Sequence, residues 1–125
     1  MSFDELRLDF NRITELPASV VKAKKLRLSG NKFFQTVATP NACLKELTVR
    51  NCDIRSLPSE LFCHGLEKVD LSHNKSLMII PSPGKRLREL NFADCSIRIL
   101  PSDFFNHDLE KLTISGNKGR NSSRH

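Results

Sequence analysis

Apolar residues recur along the chain in a fixed frame, Leu-x-x-Leu-x-Leu-x-x-Asn/Cys-x-Ile/Leu. The copies are Leu6-x-Leu8-x-x-Asn11-x-Ile13 (with Phe3 in the first position), Leu26-x-Leu28-x-x-Asn31-x-Phe33, and Leu44-x-x-Leu47-x-Val49-x-x-Cys52-x-Ile54. Then come Leu66-x-x-Val69-x-Leu71-x-x-Asn74, Leu87-x-x-Leu90-x-Phe92-x-x-Cys95-x-Ile97, and the opening of a sixth copy, Leu109-x-x-Leu112-x-Ile114-x-x-Asn117. The Asn/Cys positions step by 20, 21, 22, 21 and 22 residues. Leu16-Pro17, Leu57-Pro58 and Leu100-Pro101 each end six residues after the Asn/Cys, and Pro81 ends seven after Asn74. The second copy departs, with Gln35 to Pro40 in place of Leu-Pro. A longer period of 43 residues links Leu44 to Leu87 and Leu66 to Leu109, as a duplicated two-repeat unit would.

Leu-x-Leu alternates apolar and polar positions, the period of a strand. About 15 residues then return to the next strand, which suits parallel neighbours. One unit cannot bury its own apolar side, so stacked units must share a core. The return segments hold Leu-Pro-Ser and few residues, which predicts extended or 3₁₀ segments and little α-helix. Phe62, Phe104 and Phe105 are expected to pack as a partial spine beneath them, and Ser82 to Arg86 to form a loop. A carboxamide at the strand end can both donate and accept, so Asn11, Asn31, Asn74 and Asn117 are expected to form a structural ladder between coils. Cys52 and Cys95 share that column as small apolar residues with a weak donor.

These motifs resemble the leucine-rich repeat family over about residues 3 to 117, and in particular its short intracellular type with Leu-Pro-x-x-Leu-Phe. The resemblance implies an α/β repeat solenoid, a horseshoe with a parallel β-sheet on the concave face and short extended or 3₁₀ segments on the convex face. It implies one repeat domain over residues 1–117; the polar, basic residues 118–125 after it are expected to form a mobile tail. It also implies a non-catalytic module that binds a protein partner through the concave face, as a scaffold or adaptor in signalling. Members of this type also regulate phosphatases and serve as substrate receptors of cullin ubiquitin ligases, and the resemblance does not choose among these roles. Extracellular members usually carry cysteine-rich flanks, and none is visible here. The expected location is therefore intracellular, in the cytoplasm or the nucleus.

Strand residues that do not enter the core should line the sheet face in columns. One column runs Glu5, Lys25, Glu46, Lys68, Glu89, Lys111 and alternates in sign at every step. Its neighbours, about 4.8 Å apart, can pair laterally. The next columns are Arg7, Arg27, Thr48, Asp70, Asn91, Thr113, then Asp9, Ser29, Arg50, Ser72, Ala93, Ser115, then Phe10, Gly30, Asn51, His73, Asp94, Gly116. Arginines gather toward the N-terminal half, while Asp70, Asn91 and Asp94 follow. The candidate partner-binding residues are therefore Arg7, Asp9, Phe10, Arg27, Arg50, Asp70, His73, Asn91 and Asp94. Phe10, the large apolar member, is the candidate anchor.

The chain has 125 residues, 38% hydrophobic and 27% charged, which suits one folded domain. No run approaches the roughly 18 apolar residues of a membrane span, and the first residues do not read as a signal peptide. Of the net charge of +6, Lys118, Arg120 and Arg124 supply +3. The body shows no obvious concentrated basic face of the kind nucleic acid requires, and nucleic-acid or acidic-surface association is an alternative resting on Lys118, Arg120 and Arg124 of the tail with Lys22, Lys24, Lys25 and Arg27. Cys43, Cys52, Cys63 and Cys95 show no Cys-x-x-Cys spacing and are expected to be reduced thiols without metal. His64, His73, His107 and His125 share no spacing with carboxylates or thiols, and no glycine-rich phosphate loop occurs. The reading is no enzyme and no cofactor. Asn74-Lys75-Ser76 and Asn121-Ser122-Ser123 match the glycosylation sequon, the first on an Asn expected to be buried. Ser82-Pro83-Gly84-Lys85 has the form of a proline-directed kinase site. The sixth copy stops short, so its edge is expected to pair with a second chain or to be capped by a partner.

Overall fold

A computed structural model describes residues 2–14, 22–32, 34, 44–58, 61, 65–83, 86–104 and 109–117. They form a parallel-strand solenoid. The strands are β1 (Ser2–Arg7), β2 (Lys22–Arg27), β3 (Glu46–Thr48), β4 (Lys68–Asp70), β5 (Glu89–Asn91) and β6 (Lys111–Thr113). They lie in one sheet in sequence order, and every neighbouring pair is parallel. The register stacks Leu6, Leu26, Leu47, Val69, Leu90 and Leu112 in one row, with the Glu/Lys column beside it. Parallel order follows from the return length, because each strand is regained only after a full coil.

β1 and β2 have six residues each, longer than the Leu-x-Leu frame alone predicts, while β3 to β6 have three. Strands β4, β5 and β6 start where two successive amides share one carbonyl. Glu67 and Lys68 both donate to Lys45 O (2.8 and 3.1 Å), and Glu89 and Arg88 both donate to Glu67 O (3.0 and 2.8 Å). The regular ladder begins only past that doubled contact.

The inward row and the apolar residue two places on supply the core. Leu47, Val49, Ile54, Leu66, Leu71, Leu77, Ile80, Phe92 and Ile97 are all at most 1% exposed. Leu6, Leu8 and Ile13 in the first coil and Leu109, Leu112 and Ile114 in the last are only partly buried, as the end units of a stack must be. Among the described residues the return segments contain no α-helix. Tight turns bring Leu61 N–H to Pro58 O and Phe104 N–H to Pro101 O, both at 3.0 Å. Phe104 is buried edge-on against Phe92, with ring centroids 6.2 Å apart and planes at 84°. Leu61 fills the equivalent slot one 43-residue period earlier. Of the expected spine, Phe62 and Phe105 lie outside the described residues. So do the tail 118–125, Cys43, Cys63, the histidines His64, His107 and His125, and the departing stretch 35–40.

The carboxamides join coil to coil. Asn74 is 0% exposed; its Oδ1 accepts from Cys52 N–H and Ile54 N–H, both at 3.2 Å. Its Nδ2 donates to Val49 O of the preceding coil (2.8 Å) and to Leu71 O of its own (2.7 Å). Asn31 repeats this toward Asn11 N–H, Ile13 N–H and Leu8 O, and Asn117 toward Ile97 N–H and Phe92 O. Asn11, on the first coil, donates to Leu8 O and Asp9 O of its own coil and is exposed. The thiols keep one of these bonds: Cys52 Sγ donates to Leu28 O and Cys95 Sγ to Leu71 O, each at 3.2 Å.

Candidate functional site on the sheet face

The face opposite the core is built by the strand residues that alternate with the inward row. In the Glu/Lys column, Lys25–Glu46 (3.8 Å) and Lys68–Glu89 (3.7 Å) pair across strands. Glu5 instead pairs with Arg7 along its own strand at 3.3 Å. These pairs are half-exposed, and each stabilises by only about 0.2–1 kcal/mol. Their larger effect is on register, since a one-coil slip would set like charges side by side.

The second and third columns interlock. Arg27 Nε reaches Asp9 Oδ2 at 3.3 Å, and Asp9 Oδ1 accepts from Ser29 N–H at 2.7 Å. Arg50 Nε donates to Ser72 Oγ at 3.0 Å and lies 3.7 Å from Asp70 Oδ2. Asp70 Oδ1 in turn accepts from Ser72 N–H and Oγ–H at 3.0 and 2.7 Å. Asn91 closes the same local turn onto Ala93 N–H at 3.0 Å. Ser72 and Ser29 are 2% and 9% exposed, a correction to their expected place on the open face. They hold the arginines and aspartates from below.

The fourth column has a property that its residue types carry and that the hydrophobic pattern alone does not reveal. Phe10, Asn51, His73 and Asp94 all have positive φ (58°, 54°, 62° and 55°), as do Gly30 and Gly116 (both 77°). Each sits one residue before the ladder position, where the chain leaves the strand and turns inward. Phe10, Gly30, Asn51, His73 and Asp94 each donate their N–H to the next coil, as Phe10 does to Ser29 O at 2.7 Å and His73 to Ala93 O at 2.9 Å. Gly, Asn, Asp and His tolerate this region, and a bulky aromatic does so at a cost. Phe10 is the exception, and the residue is 81% exposed. It lies over Gly30, where an added Cβ would overlap the ring, much as the Asp94 carboxylate lies over Gly116. His73 Nδ1 lies 3.6 Å from Asp94 Oδ2.

Among the described residues, hollows on this side include three. One of about 470 Å³ gathers Asp9, Phe10, Arg27, Arg50, His73 and Lys75. One of about 270 Å³ runs along the Glu/Lys column across β3 to β6. A third, of about 350 Å³, lies between His73, Lys75, Asp94 and Gly116. All nine candidate partner-binding residues lie on this side. Arg7 stands apart from the first hollow, held by Glu5. The sequence frame does not single out Met78, Ile79 and Ile99, which are 49%, 71% and 75% exposed on the return side. Ile79 and Ile99 pair across a parallel bridge. Their signal was available: the runs Leu77 to Ile80 and Ile97 to Leu100 put isoleucine where the third coil has Ser56.

Burial is the main cause that pushes the Cys95 thiol from its ordinary 9.0 to about 11, and it raises Cys52 as well. A raised pKa favours the protonated thiol in the folded state. Its contribution to stability is therefore complete below pH 9.0 and fades as the pH climbs toward about 11. Near pH 8, Cys95 carries about two orders of magnitude less thiolate than an unfolded cysteine. Iodoacetamide is expected to label Cys95 far more slowly in the native chain than in urea, as mass spectrometry of the modified peptide would read. Equal rates would contradict the buried ladder position. Among the described residues no group of three or more His, Cys, Asp or Glu is placed to hold a metal ion, and no helix is long and apolar enough to cross a membrane.

A family model described as Leucine Rich Repeat matches residues 86–107, a stretch that includes β5. No curated protein and no solved structure matches the chain. The match supports a leucine-rich repeat family for a chain whose other coils follow the same frame. Domains of that family are generally non-catalytic protein-interaction modules.

Proposed function

We propose, from a chain that its repeats place among the leucine-rich repeat proteins, that it is a non-catalytic adaptor holding a protein partner on its sheet face, inside the cell. Arg7, Asp9, Phe10, Arg27, Arg50, Asp70, His73, Asn91 and Asp94 form the docking surface. The observation that carries this reading is Phe10. A bulky aromatic residue is kept at φ 58° and 81% exposed, where the other coils use Gly, Asn, His or Asp. Strain and exposure of this kind persist at binding sites because the ring is useful there. The arginine–aspartate lattice beside it fixes charged groups in place before any partner arrives, which lowers the ordering cost of association. The partly buried ends of the stack, at Leu112 and Ile114, are a secondary place for a second chain or a capping partner.

The test uses a photo-crosslinking residue at position 10 and, as control, at position 79. A partner is expected to crosslink from position 10 and not from 79. The triple change Arg7→Glu, Arg27→Glu, Arg50→Glu is expected to abolish that product, with the fold checked by circular dichroism. Crosslinking that is indifferent to both position and charge reversal would overturn the reading.

A further inference from the structure

We infer that the hollow beneath Phe10 is a site for an acidic segment of the partner, one that sets a carboxylate side chain beside an apolar one. This rests on the sheet-face reading above and gives it a ligand chemistry.

Charge separates the three hollows. The one at Phe10 is lined by Arg27, Arg50 and Lys75 and by one carboxylate, Asp9, a net +2 with histidine neutral, while Asp70, outside the lining, pairs with Arg50 Nε at 3.7 Å. The long one along β3 to β6 is lined by Lys68 and Lys111 against Glu46, Asp70 and Glu89, a net −1. In the third, Lys75 and Asp94 cancel. Among these three hollows, the one at Phe10 combines a net positive lining with a phenyl ring.

The cations are also poised. Arg27 and Arg50 are each tethered through Nε, to Asp9 at 3.3 Å and to Ser72 Oγ at 3.0 Å. Tethering at that edge orients the guanidinium plane and leaves the two terminal nitrogens of each fork without a described partner. A planar fork held in this way suits a carboxylate, which it can meet with parallel hydrogen bonds. Their side chains are 40% and 49% exposed, so they are reachable but partly shielded from water. Lys75 is exposed, has no ion pair among the described residues, and adds a third positive charge to the lining. The Phe10 ring rests on Gly30, because no Cβ stands in its way. It thereby forms an apolar wall next to the cations. A carboxylate with an adjacent apolar or aromatic side chain satisfies both features at once. A basic or wholly polar segment satisfies neither.

The experiment is an NMR titration of the ¹⁵N-labelled chain with three capped tripeptides, Glu-Phe-Glu, Glu-Ala-Glu and Lys-Phe-Lys. Glu-Phe-Glu is expected to move the amide signals of Phe10, Gly30 and Asn51 and the Nε–H signals of Arg27 and Arg50. Lys-Phe-Lys is expected to bind at least about tenfold more weakly. Lys75→Glu and Arg50→Glu are each expected to weaken Glu-Phe-Glu about tenfold. Phe10→Ala is expected to reduce Glu-Phe-Glu to the level of Glu-Ala-Glu. Lys75→Glu protects the test if Arg50→Glu disturbs the fold beside Asp70. Absence of binding, shifts scattered away from the hollow, equal affinity for Lys-Phe-Lys, or indifference to Lys75→Glu would each overturn the inference. If it is overturned while position 10 still crosslinks a partner in a charge-dependent way, the sheet-face reading stands and only the acidic ligand falls.

Discussion

Asn74→Ala is expected to lower the stability of the chain by about 3–5 kcal/mol, read as a fall in the urea midpoint. The change strips the partner from Cys52 N–H, Ile54 N–H and Val49 O at the junction of the third and fourth coils. Asn74, Val49 and Ile54 are each 0% exposed, so water does not reach the Ile54 and Val49 groups without opening the stack. Each orphaned buried group costs about 1–3 kcal/mol, and a partial collapse of the gap recovers some of that. Typical domains have only about 5–15 kcal/mol in hand. Because each coil touches only its neighbours, the loss concentrates at one junction, and unfolding is expected to become less cooperative there. Asn74→Cys provides the internal control. A thiol still donates to the preceding coil, as Cys95 does to Leu71 O at 3.2 Å, so this variant is expected to lose clearly less than Asn74→Ala. If the two variants unfold at the same denaturant concentration, the hydrogen bonds are not what Asn74 contributes.

Phe104→Ala is expected to cost about 3–5 kcal/mol, the range for emptying a buried aromatic site. Phe104 is 0% exposed and meets Phe92 edge-on at 6.2 Å, so the cavity would lie between the return turn and the sheet. The third coil uses Leu61 in that slot and buries it fully. Phe104→Leu is therefore expected to lose less than about 1.5 kcal/mol. Thermal melts of the three proteins check this directly, and a leucine variant as unstable as the alanine one would place the aromatic pair, not the filled volume, at the centre of the effect.

The inward positions were legible because two independent constraints coincide on them. Leu47, Val69 and Leu90 had to face the core by alternation, and the recurring frame fixed which strand residues lie abreast. The Glu/Lys column followed from the same frame. What pattern cannot give is depth and angle. Ser29 and Ser72 are polar and fall in an outward column, yet they are buried, with Ser29 N–H bonded to the Asp9 side chain and Ser72 Oγ bonded to the Arg50 and Asp70 side chains. The left-handed turn at Phe10, Asn51, His73 and Asp94 was written in the choice of residue types, but Phe10 obscures the signal because it is the wrong type for the conformation. The exposed Ile79 and Ile99 were hidden for a different reason. Hydrophobicity marks a residue as able to enter a core, and only the closed coil shows that Leu77, Ile80 and Ile97 have already filled it. The hollow at Phe10 draws on residues from coils one to four, so no local stretch of sequence contains it.

The alternating charges and the 43-residue period have one joint consequence for how such an array can change its length. Removing two coils brings Lys25 next to Glu89 and keeps opposite signs abreast. Removing one brings Lys25 next to Lys68, and removing a different one brings Glu46 next to Glu89. Growth and shrinkage by even numbers of coils is therefore electrostatically silent, while odd steps leave a scar of two like charges. A lineage, or a protein engineer, can treat the coil pair as the interchangeable module of this array.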